Sequence, residues 1–420
     1  MFGFLSDLLA PLLQTWPGAV IFYLAACAGH TFFMVTGLNV LYAWPLPHSI
    51  HRFTRKLDVL IILLGPVLFW FAMGLHDGLG VSWDATGRGF LLTPYLVFCW
   101  VLGFFVFPLA MVLYRLRPVP KALINTQVRM LDVAKELGYP PAGHSKQTAL
   151  TRIPGNQCFQ VDFVERTLVL PQLPAEWDGM TILHLSDLHF CGTPDRAFYS
   201  YVMDRCRDWG TPDLLAFTGD IVDSDKHHRW IVPVLGRLRW QAGAFAILGN
   251  HDSWREPPLI RRRLRKLGMH VLGNSWGQIE VRGQPLLVIG NEFPWFKPEA
   301  DLSACPAGVF RLCLSHTPDR IAWCRRHHVD LMLAGHVHGG QIRLPFIGSL
   351  FVPSRYSRRY DCGVFFEPPT LMLVSRGLAG QHPLRFNCRP EVTWIVLKKG
   401  ASAVSGRFKL FPRISESTGL

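Results

Sequence analysis

Gly18–Trp44 runs 27 residues without an Asp, Glu, Lys or Arg, and two more such runs follow, Val59–Leu75 and Gly89–Tyr114. A helix rises about 1.5 Å per residue, so about 20 apolar residues cross a hydrocarbon core about 30 Å thick. The first and third runs reach that length and the second sits at its lower limit, which predicts three transmembrane helices within residues 17–114. Buried helices of a large water-soluble core are the alternative, but three charge-poor runs joined by short polar loops are rare in water. The charges are correspondingly uneven. Residues 1–114 hold four basic and four acidic side chains, so the whole net charge of +13 belongs to the remainder. The chain is 17% charged, against about 25% for a soluble domain. These numbers describe a membrane-embedded front and a basic globular body, and exclude a disordered chain or a small disulfide scaffold.

Loop charges give the orientation. The first loop carries Arg52, Arg55 and Lys56, the second sets Arg88 against Asp77 and Asp84, and Arg115, Arg117 and Lys121 follow the third run. The positive-inside rule then places the body on the cytoplasmic side of a multi-pass protein in the cytoplasmic (inner) membrane. Met1–Gln14 lacks the basic start of a secretory signal. Its Phe2, Leu5, Leu8, Leu9 and Leu12 fit an interfacial helix over residues 1–16. Ten cysteines without C-x-x-C spacing read as free thiols of a reduced compartment, not as a zinc ribbon or redox pair.

Residues 115–158 read as a connector. Ile124, Val128, Leu131, Ala134 and Leu137 have helical spacing, and Tyr139–Gly155 is punctuated by Pro and Gly. Within residues 159–400, Phe159, Val161 and Phe163 and then Leu168–Leu170 predict a strand pair turning near Glu165. Short buried-type runs follow at Thr181–Ser186, Leu214–Thr218, Phe245–Leu248, Leu286–Ile289, Phe310–Ser315 and Leu331–Ala334. Residues 401–420 form a polar tail expected to be flexible.

What ends those strands carries the chemistry, because sites in layered α/β folds gather at the carboxyl ends of strands. In order come Ser186-Asp187-Leu188-His189, Gly219-Asp220-Ile221-Val222-Asp223, Gly249-Asn250-His251-Asp252, His316, and Gly335-His336-Val337-His338-Gly339-Gly340. Each has a bland reading alone: a strand-end histidine, a helix cap, a turn residue. Five in succession, all offering hard oxygen or imidazole donors, point to metal.

This succession resembles the calcineurin-like metallophosphoesterases, whose pattern is D-x-H, G-D-x-x-D, G-N-H-[D/E], a lone H and G-H-x-H. Gly339–Pro345, Val374–Leu378 and Pro390-Glu391 are similar to the bacterial membrane-associated branch, some members of which hydrolyse UDP-2,3-diacylglucosamine in lipid A synthesis. The resemblance implies an α/β fold, a four-layer αββα sandwich following the transmembrane helices. It also implies a two-metal site, with Asp187, His189 and His338 on one ion, Asn250, His316 and His336 on the other, and Asp220 bridging. Two close divalent ions can bind the attacking and leaving oxygens of a phosphoryl group and lower the pKa of a bridging water. Mixed N/O ligation suits Mn²⁺, Fe²⁺ or Zn²⁺, with Mg²⁺ a further alternative. We expect Mn²⁺. By the same resemblance His251 stands at the leaving oxygen, with Asp252 either fixing its tautomer or capping a turn.

Arg355, Arg358 and Arg359 are candidates to clamp a diphosphate, since guanidinium forks match phosphate oxygens. Arg261–Lys266 reads first as a solvated helix face and then as a contact for lipid headgroups. Without interleaved aromatics, no nucleic-acid partner is expected. The leading expectation is a membrane-anchored phosphoesterase acting on a lipid-linked phosphodiester or pyrophosphate, with UDP-2,3-diacylglucosamine as candidate. Soluble phosphoesters or cyclic nucleotides are the alternative substrates, and a binding scaffold is the non-enzymatic alternative. Oligomeric state is not legible.

Overall fold

The computed structural model describes residues 15–73, 75 and 92–400. The expected interfacial helix, the second loop and the tail lie outside the described residues. The chain divides at Arg117/Pro118 into a helical unit and an α/β unit.

The helical unit consists of α1 (Trp16–Tyr42), α2 (His48–Ala72) and α3 (Thr93–Arg115). Thr15 caps α1 by accepting the Gly18 N–H. A π turn at Leu102–Val106 in α3 ends two residues before Pro108, which has no N–H for a regular ladder. Two of these helices, α1 and α3, are long and apolar enough to cross a membrane. The middle run therefore departs from the expected three spans. Its first turns carry Arg52, Arg55, Lys56 and Asp58, and Pro66 lies within it. Its uncharged part is about 14 residues, roughly 21 Å of helix.

Packing in this unit relies on missing side chains. A Cβ on Gly29 would lie 1.9 Å from the Cys99 carbonyl oxygen, and one on Gly103 would lie 1.9 Å from that of Ala25. The two glycines thus bring the backbones of α1 and α3 together, as small residues do between membrane helices. Bulky groups point outward instead, with Phe105 70% and Leu63 66% exposed.

The strands of the α/β unit are, in order, β1 (Leu123–Asp132), β2 (Gln160–Leu170), β3 (Thr181–Leu185), β4 (Leu214–Thr218) and β5 (Gly243–Ile247). Next come β6 (His270–Val271), β7 (Trp276–Val281), β8 (Gln284–Asn291), β9 (Phe310–Ser315) and β10 (Leu331–Ala334). The last are β11 (Arg343–Leu344), β12 (Gly348–Ser349), β13 (Gly363–Glu367), β14 (Thr370–Val374) and β15 (Glu391–Lys399). One sheet has the order β1-β2-β15-β3-β4-β5-β6, the second β13-β14-β10-β9-β8-β7, and β11 and β12 form a small ribbon.

Alternation within each strand makes the layers. On β3 and β4, Ile182, Leu214 and Ala216 turn toward the second sheet and meet Val288, Leu312, Leu314 and Leu333. Leu183, Leu185, Leu215 and Phe217 turn the other way. There they pack on Phe198, Val202 and Met203, from a helix that follows β3, and on Ile260 and Leu264, from one that follows β5. Behind the second sheet lie Ile321, Trp323 and Cys324. The order is helix, sheet, sheet, helix, a mixed α/β sandwich.

Two local expectations are corrected. The segment from Ile124 is not a connector helix but edge strand β1, antiparallel to β2, followed by the single-turn helix α4 (Val133–Leu137). Ile124, Val128 and Met130 also satisfy a period of two, and pairing with β2 decides between the periods. Likewise β2 runs unbroken through Glu165, because it is flanked on both sides, by β1 and by the parallel β15. Strands β3–β5 are parallel to each other, as are β8–β10. The loops leaving their carboxyl ends meet along one rim.

Candidate active site

Five of the seven expected ligands sit in left-handed backbone: Asp187 (φ 55°), His189 (47°), Asp220 (54°), His336 (72°) and His338 (51°). Non-glycine residues rarely adopt this conformation, and where they do a local requirement outweighs the cost. Here it turns each chain sharply after its strand and aims the side chain into the rim. Two glycines make the room. A Cβ on Gly249 would lie 2.1 Å from Asp220 Oδ1, and one on Gly335 would lie 1.9 Å from Ser186 Oγ.

The side chains form two groups that share Asp220. In the first, His189 Nε2 lies 3.2 Å from His338 Nε2, 3.6 Å from Asp220 Oδ2 and 3.9 Å from Asp187 Oδ1. In the second, His316 Nε2 lies 2.9 Å from Asn250 Oδ1 and 3.3 Å from Asp220 Oδ2, with the His336 ring 4.9 Å from that of His316. Donor atoms of Asp187, His189, Asp220 and His338, and separately of Asp220, His316 and His336, fall within 4.8 Å of one another.

Hydrogen bonds behind the rings fix which nitrogen faces inward. Nδ1 of His316 donates to the Thr218 carbonyl (2.7 Å), that of His338 to the Ala379 carbonyl (3.0 Å), and that of His189 to Asp223 Oδ1 (3.0 Å). Such backing is how imidazole ligands are oriented in metal sites. With Nδ1 so engaged, the Nε2 atoms of His189 and His338 face each other at 3.2 Å, a contact that either a shared proton or a metal ion satisfies. Asp220 Oδ2 and His336 Nε2 are buried without a hydrogen-bond partner. Burial alone would lower the pKa of His189 and His316, but Asp223, Asp220 and Asp187 around the first, and Asp220 and Asp187 around the second, outweigh it and pull both up to about 9. The carboxylates demand cations, and the donor set fits two divalent ions.

His251 stands beside this pair with Nδ1 2.6 Å from Asp223 Oδ1 and Nε2 4.0 Å from Asp220 Oδ2. Asp223, not Asp252, therefore fixes its tautomer. Burial opposes its protonation, and Asp223 and Asp220 more than offset that, so its pKa is raised. Asp252 instead accepts the N–H groups of Ile221 (2.9 Å), Val222 (3.0 Å) and Gly249 (2.9 Å), holding two ligand loops together. In the sequence Asp223, the last residue of G-D-x-x-D, reads as a residue that caps and orients its loop rather than as a metal ligand.

The predicted arginines have other partners. Arg355 donates its N–H to Asp319, and Arg358 reaches the Ile347 carbonyl (2.7 Å). Arg359 pairs with Glu367 (2.7 Å), which is opposite Thr370 at the amino end of β14, remote from the rim. That placement removes Arg359 as a clamp at the site. Arg261, read as solvated or lipid-facing, instead donates to Glu292 Oε1 (2.9 Å). Sequence reasoning also missed Arg385, almost fully buried, whose guanidinium donates to the carbonyls of His338 (3.1 Å) and Arg376 (2.8 Å). It missed Trp295 as well, whose ring centroid lies 4.9 Å from that of His336 and 5.3 Å from that of His316. Neither carries a sequence signal, since both act through contacts distant along the chain.

The family model described as calcineurin-like phosphoesterase matches residues 180–340. An uncharacterized metallophosphoesterase of Bacillus subtilis (strain 168), YkuE, is 32% identical over 251 residues, 57% of this chain and 86% of that protein. Phosphodiesterase YaeI of Escherichia coli (strain K12) is 33% identical over 221 residues, 51% of this chain and 81% of its own. A zebrafish (Danio rerio) transmembrane protein with metallophosphoesterase domain is 25% identical over 263 residues, 56% of this chain and 57% of that protein.

Proposed function

This chain belongs to the calcineurin-like phosphoesterase family and is a metal-dependent hydrolase; from that premise we propose that it is a membrane-anchored phosphodiesterase or pyrophosphatase of lipid-linked substrates. The observation that carries the reading is Asp220. It is a buried carboxylate whose Oδ2 has no hydrogen-bond partner and lies between two histidine clusters. Asp187, His189 and His338 would hold one ion and Asn250, His316 and His336 the other, with Asp220 shared. Mn²⁺ is the proposed metal. When bound, the ions neutralise phosphoryl oxygens and lower the pKa of water in the site.

The chain's own groups do the rest. Ser186 Oγ donates to Asp187 Oδ2 (2.5 Å), fixing that carboxylate against rotation. Asp223 accepts from Nδ1 of His251, so the ring's remaining proton sits on Nε2, the atom directed toward Asp220 and the metal pocket. From there His251 donates a proton to the departing ester oxygen, a role worth about 10²–10⁴-fold in rate. Asp252 fixes the loops carrying both Asp220 and His251.

Two features support a lipid-linked substrate. The chain carries two helices able to cross a membrane, and a tethered enzyme meets an amphiphilic substrate at raised effective concentration. Arg115, Arg117 and Lys121, at the end of α3 and just beyond it, favour a cytoplasmic body by the positive-inside rule. Leu60, Leu63, Leu64, Val67 and Phe71 are exposed on α2, which favours embedding that helix as well. Arg355 and Arg358 are kept as candidate substrate contacts. The named candidate is UDP-2,3-diacylglucosamine.

The test is hydrolysis of that substrate by detergent-purified protein with Mn²⁺, products identified by mass, beside an Asp220→Asn control. UMP and acylated glucosamine 1-phosphate from wild type only would support both site and substrate. No turnover, with bis(p-nitrophenyl) phosphate still cleaved, would retain the phosphodiesterase and reject this lipid. Inactivity toward both with Mn²⁺ bound would reject the enzyme reading.

A further inference from the structure

The loop after β8 supplies none of the expected metal ligands, yet it is built as firmly as those that do. Glu292, fully buried, accepts the Leu248 N–H (2.7 Å) and the Arg261 guanidinium. Leu248 leads directly into Gly249-Asn250-His251, so this carboxylate ties the loop to the strand end that bears His251. Asn274 closes the other side. Its Oδ1 accepts the Glu292 N–H (2.6 Å), and its Nδ2 donates to the carbonyls of Phe296 and Pro298 (both 2.7 Å). Between these anchors stand three aromatic rings. Phe293 lies under the Arg320 guanidinium at 4.7 Å and Phe296 under that of Arg261 at 5.2 Å. The ring between them, Trp295, faces His336 and His316.

We propose that Trp295 is a specificity-determining residue, a preorganised wall on which a flat ester group of the substrate, an aryl ring or a heterocyclic base, stacks while its phosphate occupies the metal site. The inference rests on the phosphodiesterase reading above and narrows its substrate class. Side chains that merely pack beside the site, such as Leu188 and Phe190, are wholly buried, whereas Trp295 is only partly buried. A rigid indole loses little conformational entropy when a ring stacks on it. The half-buried Arg261, paired with the buried Glu292, and the Asn274 bracket hold it in place before substrate arrives.

The test uses full-length protein loaded with Mn²⁺ in detergent, with phenylphosphonate and methylphosphonate as calorimetric probes sharing one headgroup. Wild type should bind phenylphosphonate about ten-fold more tightly. Trp295→Leu should bring that ratio close to one with Mn²⁺ content unchanged, and Trp295→Phe should keep a several-fold preference. The proposal is overturned if wild type shows no preference or if Trp295→Leu keeps it. It is equally overturned if that variant loses Mn²⁺, because the indole would then only be supporting the histidines. Failure of Mn²⁺-loaded wild type to cleave bis(p-nitrophenyl) phosphate would sink the phosphodiesterase reading and the stacking wall with it. Intact cleavage with an unchanged preference in Trp295→Leu sinks the wall alone.

Discussion

His30 in the helical unit and His336 in the α/β unit are both buried, and they are buried on opposite terms. His30 accepts from Tyr95 Oη at 2.6 Å through Nδ1 and donates to the Ile61 carbonyl at 3.1 Å through Nε2, joining α3 and α2 to α1. A Cβ on Gly65 would lie 2.3 Å from its Nε2, so a glycine makes the space it fills. His336 leaves Nε2 with no hydrogen-bond partner. A buried polar atom left unpaired costs about 1–3 kcal/mol, which a bound ion, ligand or water recovers. The satisfied histidine is part of the scaffold, and the unsatisfied one waits for something the chain does not contain.

The comparison breaks most visibly at Asp220. Asp220→Asn removes the charge shared by both clusters, so we expect bound Mn²⁺ to fall and kcat/KM to drop by at least about 10³-fold. Metal analysis beside steady-state kinetics checks this. A variant that kept its full Mn²⁺ content and its activity would put Asp220 outside the site.

Glu391 tests the satisfied kind within the same unit. Arg166 donates to both its oxygens (3.0 and 3.2 Å) and Arg376 to one (2.6 Å). Burial alone would raise its pKa, but the two arginines prevail and hold it far below the usual carboxylate range. A folded pKa below the unfolded one means stabilisation that is complete above about pH 4.5 and is lost as the pH falls below that. The unfolding midpoint should therefore decline below about pH 4.5. Glu391→Gln should cost about 3 kcal/mol at pH 7 and flatten that decline, as read by calorimetry between pH 3 and 7. An equally steep decline in the variant would assign the acid sensitivity elsewhere.

Asp223 belongs partly to each kind. Its Oδ1 serves both His189 and His251, while Oδ2 is buried without a hydrogen-bond partner. Asp223→Asn should lower kcat about 100-fold and weaken Mn²⁺ binding less than Asp220→Asn does. A loss confined to KM would show that it does not act through His251.

The contrast also separates what the sequence discloses from what it conceals. All seven expected ligands and His251 stand within four residues of strand ends, where buried runs and glycines mark them, and the structure brings them to one rim. The partners that set their roles are not local. Asp223 rather than Asp252 orients His251 because the loops after β4 and β5 cross there, and neither loop announces the other. Helical spacing misplaced Ile124–Asp132, since a period of four is also two periods of two and only the neighbouring strand resolves it. Arg261 read as surface until Glu292, 31 residues on, was seen to need it. Charge counts located the apolar helical unit, but they could not separate a helix long enough to span a membrane from one that starts among basic residues.

The smallest effect is expected at His30. His30→Leu keeps most of the volume and leaves the Tyr95 hydroxyl and the Ile61 carbonyl without their shared partner. Hydrogen bonds between membrane helices average about 0.6 kcal/mol each, so the detergent-solubilised protein should lose only about 1 kcal/mol. Hydrolysis of bis(p-nitrophenyl) phosphate should be unchanged in both kcat and KM, because a partner-satisfied histidine holds helices and does nothing else. If kcat fell while Mn²⁺ content and the unfolding midpoint stayed at wild-type values, His30 would have to act on the reaction. Satisfied hydrogen bonding would then no longer distinguish scaffold from site in this protein.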